Sequence, residues 1–197
     1  MSSPATFDAV LDVRSEEIEG KERLSVVFDE REIAASVSLY AIPGRTGSAF
    51  VSIRPERALD VRWKDPFEVR EADGRPLGQG IVLYPGAPEP AGVKISRKKA
   101  LLESLSLGER DMLLALADEK GLQGLRAEDI AAFCRLDRSR LETLARELEE
   151  QGGVRILSFS PLFLVSQKSL DFLRPRIASY LARYHKKHPG QRGAPID

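Results

Sequence analysis

His185, His188 and Cys134 are the only imidazole and thiol groups among 197 residues, so transition-metal or thiol chemistry would have to begin with them. The two histidines are three residues apart on a basic helix end without thiol or carboxylate partners; a solvated surface is the plain reading, and no metal site is expected. Cys134 falls on an apolar helix face, where a thiol behaves as a small hydrophobe; a nucleophile would need a neighbouring base, and the sequence offers none. No GxxxxGK[ST], HExxH, GxSxG or CxxC pattern occurs. Nucleotide hydrolysis, zinc hydrolysis and acyl transfer therefore lack their usual apparatus, and the chain by itself is not expected to be an enzyme.

What remains is chemistry directed at phosphate. Net charge is zero over the whole chain, but residues 1 to 92 carry −5 and residues 93 to 197 carry +5. Cations gather at Lys94, Arg97, Lys98 and Lys99 and again at Arg174, Arg176, Arg183, Lys186, Lys187 and Arg192. The second run holds no acid, and Tyr180 and Tyr184 are interleaved at helical spacing. Both runs could contact a nucleic-acid backbone; equally, they could only solvate helix surfaces while Tyr180 packs into a core.

The elements that position these groups change period midway. Phe7, Ala9, Leu11 and Val13 alternate with polar residues as in a strand, and β-rich stretches follow at 24–28, 33–40, 49–53, 58–63, 67–70 and 80–84. Short strands at this spacing predict a small antiparallel barrel or sandwich. Three prolines between Pro85 and Pro90 end it. Beyond them the spacing is helical. Ser96 can cap one helix, and Ser106 with Glu109 forms a capping-box pattern before a second that Gly121 ends. A short helix spans 128–134, and Asp137 caps another whose Leu141, Leu144 and Leu148 face inward until Gly152-Gly153. Two strands around Ser158–Ser160 and a closing helix, expected to break near Pro175, complete a winged helix.

In such a module the third helix ordinarily enters a DNA groove. Here the segment from Asp137 to Glu150 sets Arg138, Arg140 and Arg146 against five acids, which would meet phosphates with repulsion. Its outer positions, Ser139, Thr143, Arg146 and Glu150, suit solvent or a protein contact.

The segment 67–83 is more informative. Physically it is a strand, an Asp73-Gly74 turn and a second strand with glycines that would let a backbone approach closely. Lys64-Asp65-Pro66-Phe67, Arg70, Gly74-Arg75 and Gly78-Gln79-Gly80-Ile81-Val82 resemble the end of the third domain of elongation factor Tu and its relatives. Pro76 and Gln79 depart from that pattern. With a following winged helix opened by Leu107-Gly108-Glu109-Arg110 and closed by Tyr184-His185-Lys186-Lys187-His188-Pro189, the chain resembles the selenocysteine-specific elongation factors, the SelB family.

The resemblance implies an α+β chain of two domains. A Tu-like barrel would span 1–88, a linker and joining helix 89–105, a winged helix 106–188, and a tail 189–197 would begin a further module. It implies a fragment of a cytoplasmic, monomeric factor whose barrel helps to hold selenocysteinyl-tRNA through Arg70, Arg75, Gly78, Gln79 and Gly80. GTP and Mg would be bound by a domain outside this chain, and the ribosome and a structured mRNA would be reached through the parent protein. Two competing readings are a DNA-binding regulator with a β sensor domain and a protein-interaction adaptor. No signal peptide is visible at Met1-Ser2-Ser3-Pro4, no apolar run is long enough for a bilayer, and no membrane partner is expected.

Overall fold

A computed structural model describes residues 6–13, 24–43, 48–87 and 95–189, with the side chains of 41–43 and 95 left out. Linker residues 88–94, Lys94 among them, and the tail from 190 onward, with Arg192, lie outside the described residues. The strands are β1 (Phe7–Asp12), β2 (Leu24–Phe28), β3 (Arg31–Pro43), β4 (Ala49–Pro55), β5 (Pro66–Glu71), β6 (Pro76–Tyr84), β7 (Leu125–Arg126), β8 (Val154–Phe159) and β9 (Leu162–Ser166). The helices are α1 (Ile95–Leu107), α2 (Glu109–Lys120), α3 (Ala127–Phe133), α4 (Arg138–Glu150) and α5 (Gln167–Lys187). They form two compact units, Met1–Met112 with Glu128–Leu136, and Leu113–Ala127 with Asp137–Asp197.

The first unit is built on a closed antiparallel barrel in the order β1-β4-β3-β2-β5-β6, with β6 returning to β1. Alternation in β1 sends Phe7, Ala9 and Leu11 inward, where they meet Val26, Val51, Ile53, Phe67 and Val82. Phe7, Phe28 and Phe67 supply the largest contacts: Phe7 meets the other two edge-on at 5.8 and 5.7 Å, and those two stack at 5.2 Å. The 13-residue β3 pairs with β2 in its first part and with β4 in the rest, which turns the sheet around the barrel.

The stretch 58–63, expected as a strand, is not one. Its backbone is committed elsewhere: the Trp63 N–H donates to the Phe133 carbonyl at 2.8 Å, the Arg62 N–H donates to Asp65 Oδ2 at 2.8 Å, and Lys64 has φ +67°. Val61 and Trp63 are buried all the same, so their apolar character reflects a packed loop.

Along the chain, α2, β7, α3, α4, β8 and β9 follow in the order of a winged helix, and β7-β9-β8 form a three-stranded sheet. Asp137 caps α4 by accepting from the Arg140 N–H at 2.8 Å, and Leu141, Leu144, Ala145 and Leu148 are its buried positions. Gly152, at φ +70°, and the Gly153 N–H bonded to the Leu148 carbonyl at 2.8 Å close that helix as the sequence predicts.

Two local expectations are overturned. Ser106 is not a capping residue: it belongs to α1 and donates to the Glu103 carbonyl at 2.7 Å, and Gly108 alone separates α1 from α2. Nor does the last helix break at Pro175; α5 runs from Gln167 to Lys187. Proline removes only the bond to the Asp171 carbonyl, and both residues are exposed, so water can take that carbonyl. Among the described residues no helix is long and apolar enough to cross a membrane.

Candidate functional site

The 66–84 segment is the strand-turn-strand hairpin expected of it. Gly74 takes φ +86°, its N–H donates to the Glu71 carbonyl at 2.9 Å, and the Asp73 side chain accepts from the Arg75 N–H at 3.0 Å. Arg75 therefore projects from an ordered turn. Its guanidinium pairs with Glu71 through Nη2–Oε1 at 2.7 Å and Nε–Oε2 at 3.2 Å. Arg70, two residues back from the turn, pairs with Glu68. These are surface pairs worth about 0–1 kcal/mol each, so a phosphate can displace them.

The glycines of the hairpin answer to packing. A Cβ on Gly80 would stand 2.4 Å from Leu11 Cδ2 and 2.5 Å from Phe67 Cζ, the side chains opposite it on β1 and β5. On Gly78 it would lie 2.9 Å from the Asp12 carbonyl oxygen and 3.2 Å from Val13 Cβ. Both missing side chains thus make room for β1 and β5, and no external backbone is needed to explain them. Gly80→Ala is expected to destabilise the chain by about 1–3 kcal/mol, read from urea unfolding, because two buried side chains must leave their rotamers. For the same reason Gly78→Glu would disturb the barrel and cannot report on a ligand alone.

Gln79, between them, is exposed and borders a hollow of about 540 Å³ that Asp12, Asp29, Ser48, Glu68 and Ile81 also line. Its carboxylates make that side of the hairpin unfavourable to phosphate. The turn, where Arg70 and Arg75 offset Glu71 and Asp73, is the less acidic side.

Lys98, expected among the phosphate contacts, is overturned. Its side chain is 6% exposed, its ammonium forms an ion pair with the fully buried Asp8, and it lies 5.7 and 5.4 Å from the ring centres of Tyr40 and Tyr84. Tyr40 also donates its hydroxyl to Asp8 Oδ1 at 2.7 Å. Burial pushes the Asp8 carboxyl above its ordinary range, against the lowering influence of Lys98, Tyr40 and Ser52. Burial, reinforced by Asp8, likewise raises the Tyr40 hydroxyl. The group is a fastener between α1 and the barrel. Arg97 and Lys99 are exposed on the same helix, with Lys99 3.7 Å from Glu103.

A second fastener uses Trp63, whose indole Nε1–H donates to the Leu105 carbonyl at 2.9 Å. Sequence reasoning passed over Asp8, Tyr40 and Trp63. The only signal was a carboxylate at a polar position of β1, and nothing in its spacing says that α1 will cover it.

In the second unit Arg174, Arg176, Arg183, Lys186 and Lys187 are brought onto exposed positions of one helix, α5. Tyr180 is 45% exposed, so the reading that packs it into a core fails. On α4, Arg138 is tied to Glu142 at 2.8 Å and donates to the Phe159 carbonyl at 3.3 Å, while the Arg146 guanidinium covers the Phe159 ring at 4.3 Å. Arg138 and Arg146 are thus engaged with their own unit. Burial raises the Cys134 thiol and Glu109 adds to this, against a backbone hydrogen bond from Leu136, so little of it is thiolate. Among the described residues no three His, Cys, Asp or Glu side chains gather as a metal site.

No protein-family model matches the chain, and no curated protein matches it. Among solved structures, one titled as the crystal structure of the bacterial selenocysteine-specific elongation factor EF-Sec aligns with 92% of this chain at 15% identity and a TM-score of 0.42. The chain spans only 38% of that structure's length, and a likeness this distant carries no argument.

Proposed function

We propose that this chain is a tRNA-holding barrel and its attached winged helix from a translation elongation factor of the selenocysteine-specific type. What supports the reading is the placement of one ordered pattern. Pro66-Phe67, Arg70 and Gly78 to Val82 fall on two adjacent strands of a closed antiparallel barrel, with Lys64-Asp65 just before the first and Gly74-Arg75 in the turn between them, and the elements of a winged helix follow. In this role the β5–β6 turn offers Arg75 to a phosphate of the T stem of selenocysteinyl-tRNA, with Arg70 behind it, while Gln79, on the carboxylate-lined side, would hydrogen-bond a sugar hydroxyl and not a phosphate. Gly78 and Gly80 keep the hairpin close to β1 and so position the turn. The two fasteners make the barrel and α1 one rigid piece, which would let movement of bound tRNA be passed along the chain. GTP and Mg would be handled by another domain of the parent protein, and the ribosome and a structured mRNA by the assembled factor.

The competing DNA-regulator reading needs α4 to enter a groove. Arg138 and Arg146 are held by Glu142 and by the β8–β9 hairpin, and acids outnumber bases from Asp137 to Glu150.

Fluorescence anisotropy with aminoacylated tRNA tests the assignment. Arg75→Glu is expected to weaken binding and lower the salt slope by about one, the signature of a lost phosphate contact. Glu71→Gln, which loosens the hold on Arg75, should act in the opposite direction. Unchanged affinity and slope in both variants, with normal circular dichroism, would remove the hairpin from the binding surface.

A further inference from the structure

The closing helix carries a feature that neither its own unit nor the barrel reading uses. Phe172, Arg176, Tyr180, Tyr184 and His188 recur every four residues, a step of about 6 Å along a helix and about 40° around it, so successive members are neighbours while the row winds from one face at Phe172 to another at Tyr184 and His188. The Arg176 guanidinium lies 3.8 Å from the centre of the Phe172 ring. Tyr180 and Tyr184 are 6.4 Å apart and tilted by 30°, and Tyr184 and His188 are 4.6 Å apart and tilted by 35°. Phe172 is 53% exposed and Tyr180 45%. A shallow hollow of about 790 Å³ at the end of the row is lined by Tyr180, Arg183, Tyr184, Lys186, Lys187 and His188.

Charge selects the occupant. After Asp171 the described part of α5 has no carboxylate, whereas Arg183, Lys186 and Lys187 flank the tyrosines and Arg174 and Arg176 precede them on the helix. A second copy of this helix would bring the same cations together and be repelled. An apolar protein surface would leave them uncompensated. A polyanion that also presents flat aromatic faces satisfies both halves of the surface, because bases stack on the rings while phosphates meet the cations. Base-paired nucleic acid hides those faces within its stack, so the strand must be single.

We propose that the Tyr180, Tyr184 and His188 rings at the end of α5 are a stacking platform for single-stranded RNA, with Arg183, Lys186 and Lys187 on its phosphates. That the strand is RNA in place of DNA rests on the translation-factor reading; the platform itself does not.

Anisotropy of labelled dodecauridylate with the full chain at about 50 mM salt, where electrostatic association is strong, is the test. Tyr180→Ala/Tyr184→Ala is expected to weaken binding about tenfold or more, while Tyr180→Phe/Tyr184→Phe retains it, since stacking needs the ring and not the hydroxyl. Lys186→Glu/Lys187→Glu should lower the salt slope by about 1.4, at roughly 0.7 for each contact on a single strand. A twelve-base-pair RNA duplex should bind more weakly and with no dependence on the tyrosines. Circular dichroism checks that α5 persists in the alanine variant.

No binding at that salt, or binding indifferent to the alanine pair, overturns the platform. Sedimentation showing a dimer that the alanine pair dissolves overturns it in favour of a second copy. Tighter binding of deoxythymidylate than uridylate overturns the RNA assignment. Arg75→Glu should leave dodecauridylate binding unchanged, so failure of the barrel reading, seen with aminoacylated tRNA, is separable from failure of this one.

Discussion

Lys98→Met is expected to cost about 3–5 kcal/mol of folding stability near pH 7, because it strands the Asp8 carboxylate in the barrel wall without its counter-charge. The methionine keeps the volume and the aliphatic stem against Tyr40 and Tyr84, so packing contributes little to the loss. Asp8→Asn should cost a comparable amount by stranding the ammonium. The double variant Asp8→Asn/Lys98→Met removes both charges, leaves an amide oxygen to accept from Tyr40, and should recover most of the stability.

The pH dependence has a definite sign. Burial holds the Asp8 carboxyl above its ordinary value of 3.8, so folding favours its protonated form. That contribution is fully present below the ordinary value and is lost as pH rises through the raised one. Lys98→Met removes a lowering influence and raises the carboxyl further, so its penalty shrinks as the solution is acidified and Asp8 takes up a proton. Urea midpoints of the four proteins near pH 7 and near pH 4 read all of this; single costs below about 1 kcal/mol that simply add would mean that the pair is not a unit.

How far these features could be read beforehand depends on the range over which each is determined. β1, β2 and β4 to β6 were legible because alternation is a local property, and so was α4, whose Asp137 cap and leucine spacing need only a dozen residues. The apolar stretch 58–63 misled because burial was mistaken for pairing: Val61 and Trp63 are buried, but the Trp63 N–H bonds the Phe133 carbonyl and the Arg62 N–H bonds the Asp65 carboxylate, not a neighbouring strand. Ser106 misled because a capping pattern can occur inside a helix that has not yet ended. Lys98 misled most. In sequence it is one of four closely spaced cations, and only the long-range pairing with Asp8, ninety positions earlier, distinguishes it from exposed Lys99. Arg75 and the α5 cations stand exposed on local elements, whereas the packing role of Gly80 needed Leu11 and Phe67 in place.

Trp63→Ala is expected to destabilise the chain by about 3–5 kcal/mol, as large-to-small changes at buried aromatic sites do. Here the cavity is only part of the cost. An α-helix leaves its last carbonyls without intrahelical partners, and Trp63 serves two such ends. Its indole N–H bonds the Leu105 carbonyl in the last turn of α1, where Gly108 interrupts the helix, and its backbone N–H bonds the carbonyl of Phe133, the last residue of α3. Trp63→Phe separates the contributions. It keeps most of the ring and the backbone bond but leaves the Leu105 carbonyl buried without the indole donor, a loss of about 1–3 kcal/mol. Hydrogen exchange should then show the α1 amides opening faster while those of β1 and β6 stay protected, because the barrel's own ladder is untouched. Far-UV circular dichroism must follow unfolding, since Trp63 is the only tryptophan. Equal stability of Trp63→Phe and the parent chain would show that the indole hydrogen bond does not hold α1, leaving the Asp8–Lys98 pair and the buried Leu102 and Leu105 to fasten the helix.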